Sequence, residues 1–141
     1  MAIATTTDGD FLGAKCALFI GARLVVLRRD DRPGLLWPGA LDLPGGGRDP
    51  GEMRPETTVL REISEEVGLR LGAEILTHAR RYTKPEGHVW FFAAHLAAGR
   101  EVEIVFGNEG QGWQLMAPET FLAAPDAVPV LQDRLRHYLG G

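Results

Sequence analysis

Short apolar runs separated by glycine and proline clusters occupy most of the chain, and the period shifts to a helical one in the middle and at the end. Residues 15–20 and 23–29 are apolar runs flanking Gly21-Ala22, a pattern that predicts a β-hairpin. Residues 30–40 contain Pro33, Gly34, Pro38 and Gly39 and are expected to form a loop. Leu41-Asp42-Leu43 is a short strand feeding the glycine run Gly45-Gly46-Gly47, which is expected to be a loop. A helix follows, with Pro55 at its first position and its end at Gly68. Residues 74–82 and 88–96 are strands around the Lys84-Pro85-Glu86-Gly87 turn. Residues 101–106 alternate polar and apolar, as a half-buried strand does, and residues 112–116 form another. Residues 118–123 are a short helix, and residues 127–139 a terminal amphipathic helix packed through Val130, Leu131, Leu135 and Tyr138. Mixed strands with helices between and after them predict an α/β/α sandwich around a mixed sheet.

Composition fits one compact domain over residues 1–141, with residues 1–12 a flexible N-terminal segment. Hydrophobic residues make up 45% and charged residues 24%, ordinary values for a soluble globular protein. A net charge of −4 argues against a nucleic-acid polymer as partner, which would call for a basic surface. A small nucleotide is compatible with that charge, because bound metal supplies positive charge locally. The start of the chain lacks the basic and apolar stretches of a signal peptide, and no run has the length of a membrane span. A cytoplasmic protein with no membrane partner is therefore expected, and a homodimer is compatible with the sequence. The lone Cys16 sits in the run Cys16-Ala-Leu-Phe-Ile20 and reads as a buried strand residue.

The middle helix carries the chemistry. At about 100° per residue, Glu62, Glu65 and Glu66 share an arc of roughly 100°, while Leu60, Ile63 and Val67 lie opposite. The like charges repel at i,i+3 and i,i+4. Glu65 and Glu66 also sit at the helix end that disfavours anions. A divalent cation would offset both costs. Oxygen donors without Cys or His select a hard ion, Mg²⁺ first and Mn²⁺ second. The preceding glycines, Gly46 and Gly47 among them, let the backbone approach a ligand closely.

The stretch from Gly46 to Leu69 resembles the Nudix box of the MutT-like hydrolases. Arg61-Glu62-Ile63-Ser64-Glu65-Glu66-Val67-Gly68-Leu69 matches the second half of the pattern, and Gly46 with Glu52 matches the first. One extra residue stands between Glu52 and Arg61, and it is placed in the loop at Met53 or Arg54 so that the helix keeps its register. The insertion puts at issue the contact usual between the first Glu and the box Arg, here Glu52 and Arg61.

The resemblance implies the same α/β/α fold and Mg²⁺-dependent hydrolysis of a diphosphate in a nucleoside diphosphate linked to a group X. It implies Glu62, Glu65 and Glu66 as metal ligands with the Gly45 carbonyl as a further oxygen, and Arg61 as the residue orienting the glutamates. The general base is Glu62 or, as second choice, Glu109, which lies in the polar loop Phe106-Gly-Asn-Glu-Gly-Gln-Gly112.

For the substrate, a (deoxy)nucleoside triphosphate giving monophosphate and pyrophosphate is preferred. ADP-ribose or a nucleotide sugar is the alternative, and a non-catalytic nucleotide-binding module is the alternative of another class. Trp37, in the loop beside the glycine run, is a candidate to stack on a base, whereas Trp90 inside a strand is a core candidate. Asn108 is the only asparagine, which weakens an oxidised-guanine assignment. His78, His88, His95 and His137 have no metal-ligand spacing.

Overall fold

The computed structural model describes residues 10–140. Seven strands make one mixed sheet: β1 Gly13–Ile20, β2 Arg23–Arg28, β3 Leu41–Asp42, β4 Gly45–Gly47, β5 Leu76–Lys84, β6 Gly87–Leu96 and β7 Gly112–Met116. Helix α1 spans Pro55–Val67, α2 Pro118–Ala123 and α3 Pro129–Gly140. The spatial order is β3-β2-β1-β6-β5, with β4 added on β1 and β7 on β2. All neighbours run antiparallel except β1 and β6.

Alternation along the strands sends side chains to two cores. Cys16, Leu18, Val25, Phe92 and Ala94 pack with Val59, Ile63 and Val67 of α1. Ala17, Phe19, Val26, Phe91 and Ala93 pack with Phe121 of α2 and with Leu131 and Leu135 of α3. The result is the expected α/β/α sandwich. Cys16 is fully buried, and burial pushes its thiol pKa upward, as suits a strand residue with no chemistry.

The feature that positions the site is a fork in the sheet. The β1–β2 hairpin pairs only at Phe19↔Leu24 and Ile20↔Arg23. Beyond that the strands diverge, and the chain from Leu41 to Gly47 wedges between them. Its first part pairs with β2 through Leu27↔Asp42. Its second part pairs with β1 through Lys15↔Gly45 and Gly13↔Gly47. Cys16 N–H donates to the Pro44 carbonyl at 2.8 Å where the segment crosses over.

Several expectations are corrected. The glycine run is a paired strand and not a loop. Gly45 has φ 130°, and a Cβ there would stand 2.6 Å from the Lys15 Cα, so only glycine lets this strand sit against β1. Residues 101–106 are not a strand: Arg100–Glu103 is a 3₁₀ turn with Val102 and Val105 exposed. Val105 and Gly107 N–H donate to the Val67 and Glu66 carbonyls at 2.9 Å each, which supplies donors to the orphan end of α1. The alternation recorded which side chains turn inward, Ile104 and Phe106, and the backbone bonds go to a helix end and not to a ladder. Residues 73–75 form a 3₁₀ turn, so that strand starts later than expected. Val130 is 43% exposed and lines a cavity instead of packing inward. Of the expected N-terminal segment, residues 1–9 lie outside the described residues. Phe11 is buried, and Leu12 N–H donates to the His88 carbonyl at 2.8 Å, so the segment's last residues are held by the fold.

Candidate active site

Helix α1 begins at Pro55 after an extended Arg54, and Gly68 closes it in the left-handed region at φ 71°, donating its N–H to the Ser64 carbonyl. Val59, Ile63 and Val67 are buried, which turns the opposite face with its glutamates toward β4. The residues between Glu52 and Pro55 are irregular, with Met53 61% exposed, so the extra residue is absorbed before the helix starts.

Arg61 is the hub of this face. Its Nε and Nη2 donate to the two Glu52 oxygens at 2.8 and 3.2 Å. Nη1 reaches Glu62 at 3.1 Å and Glu65 at 3.0 Å, and Nη2 also reaches the Gly47 carbonyl at 2.9 Å. The Glu52–Arg61 contact is therefore made despite the insertion. Thr58 and the Asp49 N–H add bonds to Glu52 at 2.7 and 2.8 Å. The Arg61 hydrogen bonds, more than any other influence, hold the Glu52 carboxyl down at about 2. Sequence reading named Glu52 only for this contact and assigned it no role of its own.

Glu66 points the other way, to the glycine strand, and accepts the Gly45 N–H at 2.9 Å. Burial pushes its carboxyl up to about 8, against the pull of Lys15 and the Gly45 N–H. Glu62 lies against Gly46, with its Cδ 2.7 Å from where a Cβ would be, and burial raises its carboxyl too. Glu65 is mainly exposed and is held by Arg61.

Two cations that the sequence reading passed over complete the centre. Lys15 extends from β1 to Asp42 at 3.0 Å and to the Leu43 and Gly45 carbonyls at 3.1 Å each. Arg29 reaches Asp42 at 3.0 Å and the Leu36 carbonyl at 3.0 Å. Asp42, only 5% exposed, is thus paired twice in the fork. The available signal was a charged residue opening an apolar strand (Lys15) and another between two leucines (Asp42).

Glu66, Glu109, Asp42 and Arg29 line one cavity of about 120 Å³. Glu109 itself is exposed, and its loop is fixed by the Gly110 N–H to Asp30 at 3.2 Å and the Gln111 side chain to the Arg29 carbonyl at 2.8 Å. A second cavity of about 390 Å³ shares Arg29 and Asp42 and is lined by Lys15, Gly46, Gly47, Trp37 and Trp90. The structure thus brings Gly46, Gly47 and Trp37 to one pocket and Glu66 and Glu109 to its neighbour. His95 and His137 are engaged elsewhere, with Tyr138 and Tyr82.

Among the described residues no three His, Cys, Asp or Glu side chains converge closely enough to hold an ion as they stand. Arg61 and Lys15 occupy Glu62, Glu65 and the Gly45 carbonyl. The donor set nevertheless fits a hard divalent cation. It is all oxygen, and burial disfavours the charged forms of Glu62 and Glu66, which a cation beside them would restore.

The NUDIX domain family matches residues 12–138. The chain belongs to the NUDIX family. Its fold is similar to that of an Ap4A hydrolase from C. elegans, with TM-score 0.71 at 20% identity over 91% of this chain and 96% of that one. It is also similar to a MutT protein from Methanosarcina mazei Go1, with TM-score 0.70 at 17% identity over 96% and 97%. A NUDIX hydrolase from Nitrosomonas europaea gives TM-score 0.66 at 19% identity over 93% and 72%. No helix among the described residues is long and apolar enough to cross a membrane.

Proposed function

We propose that the protein uses Mg²⁺, or Mn²⁺ in its place, to hydrolyse the diphosphate of a nucleoside diphosphate-X substrate. The preferred substrate is a (deoxy)nucleoside triphosphate, cleaved to monophosphate and pyrophosphate. The observation that carries this reading is the placement of Glu62 and Glu66 of α1 against Gly45–Gly47, at the edge of a 390 Å³ pocket with an aromatic wall. A diphosphate at the glycine strand would lie between those carboxylates and the cations Lys15 and Arg29.

Glu62, Glu65, Glu66 and the Gly45 carbonyl would hold the ion. When bound, it supplies charge neutralisation on the diphosphate and a lowered pKa for the attacking water. Arg61 orients Glu62 and Glu65 through charge-assisted bonds. Glu62 accepts the proton of the attacking water, with Glu109 as the second candidate from the adjoining cavity. Gly46 and Gly47 offer backbone without side chains to the phosphates, and Trp37 offers a face to the base. The net charge of −4 supports a small substrate rather than a nucleic-acid polymer.

The test is a panel of dNTPs, NTPs, ADP-ribose and dinucleoside polyphosphates with Mg²⁺, read as phosphate or pyrophosphate release. Metal-dependent pyrophosphate release from triphosphates is expected. Turnover confined to ADP-ribose moves the assignment to the nucleotide sugars, and no product from any compound overturns it.

A further inference from the structure

The 390 Å³ pocket is lined by two cations the site leaves unused, Lys84, which is half-exposed and 3.8 Å from Glu86, and the buried Arg134. Arg134 of α3 lines it and is only 8% exposed. Its Nε is buried with no hydrogen-bond partner. Its guanidinium stands 4.7 Å over the Tyr82 ring, and the neighbouring Asp133 is taken by Arg136 at 2.9 Å. A buried cation is costly without a hydrogen-bonding partner, and a ring face offers no acceptor in the guanidinium plane.

The sheet register sets the spacing between the strand beneath Arg134 and the glycine strand. Tyr82 pairs with Val89, Val89 with Gly13, and Gly13 with Gly47. Three strand spacings make about 14 Å between the strand below Arg134 and the glycine strand. A nucleoside fits that gap with its phosphates at Gly46–Gly47 and its base toward α3. Val89, Val128 and Leu131 supply apolar wall in that gap, which suits a flat base, and Lys84 at the rim is paired with Glu86. Trp37 borders the same space in a left-handed conformation, φ 53°, of the kind that clusters at active sites, ligand clamps and switch regions.

We propose that Arg134 reads the base: its guanidinium donates to two adjacent acceptors of a guanine-type edge, O6 and N7, on a base lying in the Trp37-walled pocket. The planar fork of arginine matches that pair and not adenine, which presents a donor beside N7. This rests on the nucleotide reading above and adds the identity of the base.

The experiment is calorimetry of the metal-free protein with GMP, AMP, CMP and UMP, joined to steady-state kinetics on the four triphosphates. GMP is expected to bind at least about tenfold tighter than AMP, within the range of a bidentate base contact. Arg134→Met is expected to bring the four within about twofold and to raise KM for GTP with kcat held. Its Tm should stay level or rise, because a buried N–H without an acceptor is gone. Arg134→Lys keeps the charge without the fork and should lose the discrimination too. Equal binding of the four monophosphates by the wild type, or discrimination surviving in both variants, overturns the assignment. Equal kcat/KM on all four triphosphates would remove Arg134 as reader and leave hydrolysis standing. Guanosine-selective binding without any product would do the reverse.

Discussion

Replacing Gly46 with alanine separates the position of Glu62 from the stability of the strand it lies against. An added Cβ would stand 2.7 Å from the Glu62 Cδ, whereas carbon pairs settle at about 3.5–4.0 Å. The carboxylate must therefore retreat by about 1 Å, away from its 3.1 Å bond to Arg61 and from the glycine strand. The obstacle is the end of a flexible side chain, and Gly46 has an ordinary φ, so the strand need not move. A displacement near 1 Å in a positioned group costs about a hundredfold in rate, or about 2.7 kcal/mol of barrier. The expected outcome for Gly46→Ala is a kcat about a hundredfold lower with Tm within about 3 °C of wild type. Gly45→Ala is the contrast, because its Cβ meets backbone atoms of Ala14 and Lys15 at φ 130°. That change should cost about 2–4 kcal/mol and on the order of 10 °C in Tm. Pyrophosphate release and differential scanning calorimetry on the two variants decide the matter. Wild-type turnover in Gly46→Ala, or a Tm loss equal to that of Gly45→Ala, would refute the reasoning.

Glu109→Gln should lower kcat by about a hundredfold with Tm nearly unchanged, the scale of an acid–base group; near-wild-type turnover removes Glu109 from the mechanism. Glu52 has a folded pKa of about 2, below its unfolded value, so its stabilising contribution is complete above about pH 4.5 and is lost as pH falls toward 2. The Tm difference between wild type and Glu52→Gln should accordingly be full at pH 6 and shrink toward pH 3, and a constant difference would contradict the Arg61 contact as its source. Glu66 has the opposite sign. With a folded value of about 8, it makes the metal-free protein less stable as pH rises from about 4.5 to 8. The Tm gain from a fixed Mg²⁺ concentration should then be larger at pH 8.5 than at pH 6 and lose this dependence in Glu66→Gln. A gain independent of pH in the wild type would speak against Glu66 as a ligand.

What the chain determined by itself is local. The helical period from Pro55 to Val67, the proline that opens it and the glycine that ends it place Glu62, Glu65 and Glu66 on one face whatever lies beyond. The apolar runs around Gly21-Ala22 and Pro85-Glu86 define two hairpins in the same way. Only the tertiary structure decided what those carboxylates face. The fork between β1 and β2 joins Lys15, Arg29 and Asp42, residues distant in sequence, because the Leu41–Gly47 segment pairs with one strand and then the other. The same holds for residues 101–106, whose alternation serves inward packing while their N–H groups close the end of α1. It holds also for Arg134, an ordinary charged position on a terminal helix until the sheet sets it over Tyr82 beside a pocket. Periodicity encodes which side of an element is buried. Which partner lies across the gap depends on long-range pairing, and no spacing along the chain records it.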